Sequence, residues 1–554
     1  MGLEKFGHDA RQDRKENGAT YTPSTLALSV ANKLISGGVK HLHGERIKIL
    51  DPGAGDGALI DALLKVLDAQ LLKYLEVTVV DISKVAIHNL KTRLETKYPQ
   101  VRFNFVIRDF FELYHDLLKH KKAFDIIIAN PPYVRTQSMQ AGVRNDLRKT
   151  FGLEGRADLS FAFILAISTL LTDDGVAAII TSNKLMTTAA GASVRETLLN
   201  TVEIKEIWDL GDTRVFDAAV LPCVLFFTNF KSVAAAPTVF RSIYRIEGEV
   251  CEDLSAEACE AILCPGKWTL KDGTNVEVRL GGLSLAEGWR LADKEDEAWA
   301  ARVIAATFST FGDIAHVRVG IKTTADTVFI SKAWEDPQPE MVRPLITHHI
   351  AGRFKARRSP DRSVLYPYEV KEGRRVAVDI CKFPKAERYL EIHRERLEDR
   401  DYLMKSGREW FEIWVPHHPD DWFHPKVVFR DIAERPTFWM DHTSSIVNGD
   451  CYWITMREGS SADLLWLILA VANSSVIERY YDVVLGERLY AGRRRFMTRH
   501  VRKFPLPDPS LPASIRASEI ARELSEWCAC DARRLSLEAE LDRLVCRAFG
   551  LQET

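Results

Sequence analysis

The sequence predicts an α/β chain in two parts: a doubly wound parallel sheet within residues 1–235, and a mixed α+β region over residues 240–508 followed by a helical tail, residues 513–554. Three observations lead there. Short β-branched apolar runs alternate with amphipathic stretches through the first 230 residues, as a parallel sheet covered on both faces requires. A glycine-rich turn follows the first of those runs. After "NFKSVAAAPT", residues 229–238, the alternation stops, and ten of the 12 tryptophans fall between Trp268 and Trp466. Length agrees, because a single core rarely grows beyond roughly 250–300 residues and this chain has 554.

Composition narrows the class. Hydrophobic residues make up 46% and charged residues 27%, as in soluble globular proteins. A formal net charge of -2 excludes a wholly basic nucleic-acid coat but leaves room for a local basic groove. The nine cysteines lack paired CxxC spacing, and Cys528 with Cys530 in "EWCACDARR" reads as reduced thiols, so no metal is expected. With neither a signal peptide nor an apolar run of membrane-spanning length, the chain is expected to be cytoplasmic, and it is read as a monomer.

The elements follow in order. "GATYTPSTLALSVANKLI" opens a helix that Thr22 or Ser24 can cap. "RIKILDPGAGDGALIDALLKVL" gives the strand Ile47–Leu50, a turn with Gly53, Gly55 and Gly57, and a helix from Leu59. Such a turn lets backbone approach a ligand closely. Its spacing is GxGxG, unlike the GxGxxG of a dinucleotide site, and Asp51 places an anion where a pyrophosphate would lie. A cationic or zwitterionic cofactor without phosphate suits it better. "VTVVDIS" ends on Asp81, placed to accept from both hydroxyls of a ribose. "FVIRDFFEL" ends on Asp109 and Phe110, an acceptor beside an aromatic that could read and stack an adenine.

In "FDIIIANPPYVR", residues 124–135, a buried strand stops on Asn130 and two prolines. Pro131 and Pro132 have fixed φ and no N–H, so the backbone must leave the sheet there in a stiff loop. Open α/β folds place ligands at that edge. The Asn130 carboxamide oxygen and the Pro131 carbonyl then converge as two acceptors, and Tyr133 adds a flat face. The loop suits a planar group that carries an NH2.

DPGAGDG, VVDIS, RDFFEL and NPPY, in this order, resemble motifs I to IV of the S-adenosylmethionine-dependent amino-methyltransferases. Upstream, Thr20, Tyr21, Thr22 and Pro23 resemble motif X of the gamma class of DNA adenine-N6 methyltransferases, which also carries its target-recognition domain last. The resemblance implies a Rossmann-like catalytic domain and S-adenosyl-L-methionine as cofactor. Its binding would involve the motif X residues with Asp51, Gly53, Gly55, Asp81, Ile82, Asp109, Phe110 and Pro132. It further implies transfer of methyl to the N6 of an adenine flipped out of duplex DNA, with Asn130 and Pro131 holding the amine and Tyr133 and Phe216 stacking on the base. A role in restriction-modification or a related defence system is expected, with any cognate endonuclease encoded separately, since "DARQDRKENGATYTP" leaves no room for a fused one. Glutamine methylation of a protein poses the same electronic problem, but such enzymes are short. A DNA-binding subunit without activity would be expected to lose Asn130 or the glycine turn.

Downstream, "GVAAIITSNKLM" reads as a buried strand and "DTRVFDAAVLPCVLFFTNF" as a loop, carrying Phe216, before the final strand pair. Asp158 and Ser160 start a helix of structural character. "AHVRVGIKTTADTVFIS" reads as strands with a turn at Thr323–Asp326, and "KVVFRDIAERPTFWMDHTSSIVNGDCYWIT" as a hairpin-like pair. The segment "GERLYAGRRRFMTRHVRKFPLP" gathers Arg488, Arg493, Arg494, Arg495, Arg499, Arg502 and Lys503 around Tyr490 and Phe496, and is expected to contact DNA. Prolines between Pro505 and Pro512 mark a linker to an amphipathic tail, Ile515–Phe549, expected to pack back on the body.

Overall fold

The computed structural model describes the chain except residues 1–20, 38–45, 121–122, 135–138, 140, 154–157, 214, 217–220, 230–236, 249, 251, 286–287, 486–492, 527–530 and 553–554. Thr20, Arg488, Tyr490, Cys528 and Cys530 lie outside the described residues. The chain divides into two compact units, the first ending at Lys294 and the second starting at Glu295.

The first unit is built on one mixed sheet. Its strands are β1 (Ile47–Pro52), β2 (Leu75–Asp81), β3 (Arg102–Ile107), β4 (Phe124–Ala129), β5 (Leu171–Ser182), β6 (Glu203–Asp209), β7 (Pro222–Thr228), β8 (Val239–Arg245), β9 (Gly266–Thr269), β10 (Asn275–Ser284) and β11 (Arg290–Ala292). They lie in the order β11-β10-β8-β6-β7-β5-β4-β1-β2-β3, with β9 on β10. From β3 to β5 every pairing is parallel, while β7 runs antiparallel between β5 and β6. The lack of polar alternation in β4 has a direct cause: Ile126 and Ile128 face one apolar layer, and Ile127 and Ala129 the other. Helices Ser24–Ser36, Ala58–Val66 and Lys84–Lys97 supply residues to the first layer, and Phe110–Lys119, Leu159–Thr169 and Ala192–Thr201 to the second. This is the doubly wound arrangement expected of continuous apolar strands.

The first unit does not end near residue 235. β8 pairs in parallel with β6, and β10 then pairs antiparallel with β8 over seven residues, Val276–Gly282. The outer strands are covered less fully than the central ones, as in the VFRSIYR run of β8, where only Phe240, Ser242 and Ile243 are buried. One covered face is enough for an antiparallel extension, which is why the loss of the buried-strand pattern looked like a boundary.

The second unit holds small sheets on two apolar clusters. Lys426–Arg430 pairs antiparallel with Phe438–Asp441 and also with Cys451–Met456, so the expected hairpin-like pair is present with a third strand. Thr323–Asp326 does turn, through a Thr323 hydroxyl bond to the Asp326 carboxylate, but the next residues form the helix Asp326–Phe329 before the short strand Ile330–Ser331. Helices Pro512–Glu526 and Asp531–Ala548 contribute Ile520, Leu541 and Val545 to one of the clusters, so the tail belongs to this core. Among the described residues no helix is long and apolar enough to cross a membrane.

Candidate active site

The strand order reverses between β1 and β4, which are neighbours paired at Ile49 with Ile126 and Leu50 with Ile127. Loops leaving the carboxyl ends of two such strands diverge and leave a crevice. Here those loops are the glycine turn and Asn130–Tyr133. A Cβ added to Gly53 would lie 4.0 Å from Pro132 Cδ and 3.9 Å from Phe163 Cε1. Gly53, Gly55 and Gly57 have φ of 86°, 55° and 74°, which few other residues adopt. At Gly57 packing adds a second constraint, since a Cβ there would sit 2.2 Å from Leu90 Cδ1.

The turn is tied to the second strand. Backbone N–H groups of Gly53 and Ala54 donate to the Val80 carbonyl at 2.8 and 2.9 Å. Asp81 accepts from Gly55 N at 2.9 Å on one carboxylate oxygen and from Ser83 N at 2.8 Å on the other. Each oxygen keeps a lone pair for a ligand hydroxyl. Ile82 beside it is 59% exposed, an apolar side chain at the rim.

Asp51 is 1% exposed, and neither of its carboxylate oxygens has a hydrogen-bond partner among the described residues. Burial, followed by repulsion from Asp81 and Asp56, pushes its carboxyl well above the usual carboxylate range. A buried acid without donors is costly unless a donor or a positive charge arrives. A cofactor with an ammonium or sulfonium group, and no phosphate, fits this chemistry.

Asn130 is held between two hydroxyls: its Nδ2 donates to Thr22 Oγ1 at 3.0 Å, and its Oδ1 accepts from the Tyr133 hydroxyl at 3.0 Å. The helix after Thr22 starts at Ser24 with Pro23 at the cap position and no side-chain cap. The expected capping by Thr22 or Ser24 is therefore absent, and Thr22 serves Asn130 instead. Tyr21 is 44% exposed, and its ring atoms stand 4.0 Å from where a Gly55 Cβ would be. Burial pushes the Tyr133 hydroxyl well above its usual range, so it stays a neutral donor. The loop is clamped by a Leu159 N bond to the Val134 carbonyl at 2.8 Å. Asp158 caps the helix there through Ser160 N at 3.0 Å, and Ser160 accepts from Thr181 at 3.0 Å, both structural as read from the sequence.

Other expected residues sit differently. Asp109 caps the helix Phe110–Lys119, its Oδ1 accepting from Phe111 N and Glu112 N at 2.8 and 3.2 Å, which leaves Oδ2 as the acceptor for a ligand. Phe110 is 3% exposed and stacks on Phe163 at 4.8 Å, so its face is taken by the core. Phe216 is 5% exposed within the apolar cluster that includes Trp208 and Leu210, and is not presented to a base in this conformation. Sequence reading missed Phe163, whose only signal is its place in "ADLSFAF", one turn into the helix that clamps the Asn130 loop.

The basic cluster expected to contact DNA lies in the second unit, and its members differ in how they are paired. Arg494 donates from Nε and NH2 to the two Asp482 oxygens at 2.7 Å each and lies 3.3 Å from Glu478. Arg495 pairs with Asp431 at 3.1 Å. Arg494, buried and doubly paired, is not free for phosphate as expected, whereas Arg495 keeps an exposed side chain beside its carboxylate partner. Arg493 is exposed and 3.7 Å from Glu434, while Arg499 is exposed with its Nε donating to His500 Nε2 at 3.0 Å.

Fold and site together define a Rossmann-like methyltransferase joined to a second, small-sheet domain. Residues 62–216 match the Eco57I restriction-modification methylase family, and residues 368–506 match the TaqI-like C-terminal specificity domain. The type II methyltransferase M.BanIII of Aneurinibacillus aneurinilyticus is 33% identical, over 97% of this chain and 98% of its own. M.BstVI of Geobacillus stearothermophilus is 23% identical over 97% of both chains. The type IIL restriction-modification enzyme MmeI, solved in complex with DNA, shares the fold with a TM-score of 0.61 at 15% identity, over 95% of this chain and 73% of its own. The chain belongs to the type II DNA methyltransferases of restriction-modification systems, with a C-terminal specificity domain.

Proposed function

We propose that the chain is a gamma-class enzyme that methylates the exocyclic N6 of an adenine in duplex DNA. The observation that carries this reading is the Asn130–Pro131 acceptor pair at the carboxyl end of β4, packed beside the glycine turn at the switch point. An exocyclic adenine amine is a poor nucleophile because its lone pair is conjugated into the ring. When Asn130 Oδ1 and the Pro131 carbonyl each accept one of its hydrogens, the nitrogen is drawn toward tetrahedral geometry and its lone pair is freed. S-adenosyl-L-methionine, when bound, supplies a sulfonium methyl for that lone pair. Asp51, Asp81 and Tyr21 lie about the glycine turn that would hold it, with Asp109 following the neighbouring strand β3, and Asp51 gives its positive charge a partner. Catalysis by the chain itself is positioning and electrostatic stabilisation, with no strong base. Tyr133 offers a ring for the extruded base.

The first unit carries the chemistry in this reading, and the second selects the DNA sequence. The TaqI-like specificity match and the DNA-bound MmeI of similar fold support that division. Its biological setting would be protection of host DNA against a separately encoded endonuclease. The test is nucleoside analysis of DNA incubated with the protein and labelled S-adenosyl-L-methionine. N6-methyladenine is expected; methylcytosine, or no label in DNA, would overturn the reading.

A further inference from the structure

With Arg494 buried in a carboxylate pair, the basic cluster at residues 493–499 offers the second unit fewer contacts for DNA than its sequence suggests. Another cationic surface exists on the loop between the strands Val342–Ile346 and Arg362–Leu365. Residues 353–362, "RFKARRSPDR", carry five basic side chains against one acid. The loop is anchored at its base. Arg353 donates to the Pro436 and Asn473 carbonyls at 3.0 and 2.8 Å and pairs with Glu538 at 3.0 Å. Phe354 is 1% exposed at φ 66°, with its N–H on the Phe438 carbonyl at 2.7 Å. A positive φ at a bulky residue costs energy and persists only where the surroundings enforce it. Gly352 is required as well, since a Cβ there would meet the Lys355 carbonyl at 2.2 Å. Beyond this anchor Arg357 and Arg358 are exposed. Arg358 shares Asp361 with Lys332, at 3.3 and 3.5 Å, and Arg357 has no carboxylate partner among the described residues.

The start of the loop is polar and incompletely paired. His348 contacts Asp450 through Nδ1 at 2.5 Å, and its ring lies 4.0 Å from that of exposed His349, tilted by 40°. Buried Thr347 Oγ1, Asp450 Oδ1 and Asp361 Oδ1 have no partner among the described residues. The neighbouring His348, then desolvation, then Arg362 hold His349 below the usual histidine range, against the opposing pull of Asp450 and Asp361.

We propose that this loop, with Arg357, Arg358 and the His348–His349 pair, is the phosphate-gripping surface of the second unit on duplex DNA. The proposal rests on the DNA methyltransferase reading and adds the surface that reading lacks. Phosphate contacts give affinity that is independent of sequence and falls with salt.

The test is titration of a labelled duplex at several salt concentrations with the full chain, the double variant Arg357→Ala/Arg358→Ala, and Lys405→Ala, which removes a charge elsewhere in the same unit. The double variant should lose roughly tenfold or more in affinity at moderate salt, and its log-log salt slope should flatten by about two. Lys405→Ala should match wild type, and S-adenosyl-L-methionine affinity should be unchanged in all. Should the double variant lose thermal stability, Arg357→Glu alone replaces it, with the same direction expected. Wild-type affinity and slope in the loop variants would overturn this inference alone. Failure of the wild-type chain to bind or methylate duplex DNA would overturn the reading beneath it.

Discussion

The Tyr133 hydroxyl donates to Asn130 Oδ1 at 3.0 Å, across three residues of one loop. The acceptor assigned to the adenine amine is thus occupied before a base arrives, and it is kept polarised and aimed by a group the base can replace. With the Thr22 contact on the other side of the carboxamide, Asn130 has little freedom to rotate.

Asn130→Ala should therefore abolish turnover, by about 10²-fold or more if its acceptor acts as a preorganised electrostatic group, while cofactor affinity stays near wild type. Tyr133→Phe removes only the hydroxyl and should cost about tenfold in kcat. Tyr133→Ala also removes the ring, and should weaken binding of the target DNA by about 1–3 kcal/mol. Steady-state kinetics with calorimetric cofactor titration separate the three.

Asp51→Asn should stabilise the cofactor-free protein by about 0.5–2 kcal/mol and weaken cofactor binding. The folded state raises the Asp51 pKa, so it holds a proton that the unfolded chain has released above about pH 3.9. Stability of the cofactor-free protein consequently falls as pH rises from there toward the folded value, and the amide should remove that slope. Thermal melts across pH, with and without S-adenosyl-L-methionine, read both effects.

Asp81→Ala should weaken S-adenosyl-L-methionine by about 1.5–3 kcal/mol. Two causes combine: loss of the ribose acceptor and release of Gly55, whose N–H the carboxylate holds at 2.9 Å. Asp81→Asn keeps an acceptor for the turn and should lose less. Equal affinity of the alanine variant and wild type in calorimetry would mean that the ribose lies elsewhere.

Arg494→Ala should destabilise the second unit by about 3 kcal/mol, since it removes a buried guanidinium paired with Asp482 and Glu478. Arg493→Ala, at an exposed position, should change stability by less than about 0.5 kcal/mol. Denaturant melts check the contrast.

Local chemistry explains what could be read from the sequence. The strands around the switch point were legible because burial on both faces leaves no polar alternation, and the loops because Asp51, the glycines and the two prolines each constrain backbone directly. Phe110 and Phe216 were harder: whether a ring faces a ligand or the core depends on partners such as Phe163, dozens of residues away. Arg494 was misjudged for the same reason. Charge density along the chain gave no sign that Asp482 and Glu478 turn back onto Arg494, or that Asp431, 64 residues from Arg495, reaches it.

The continuation of the first sheet through β8 and β10 has a practical consequence for dissecting the enzyme. A fragment cut at residue 235 would leave β6 without its neighbour, baring a row of unpaired N–H and C=O groups along Glu206–Asp209. Uncovered strand edges recruit other chains, so that fragment would self-associate. A fragment carried to Lys294 keeps the strand covered, and is the one with which the proposed division between methyl transfer and target choice is to be tested.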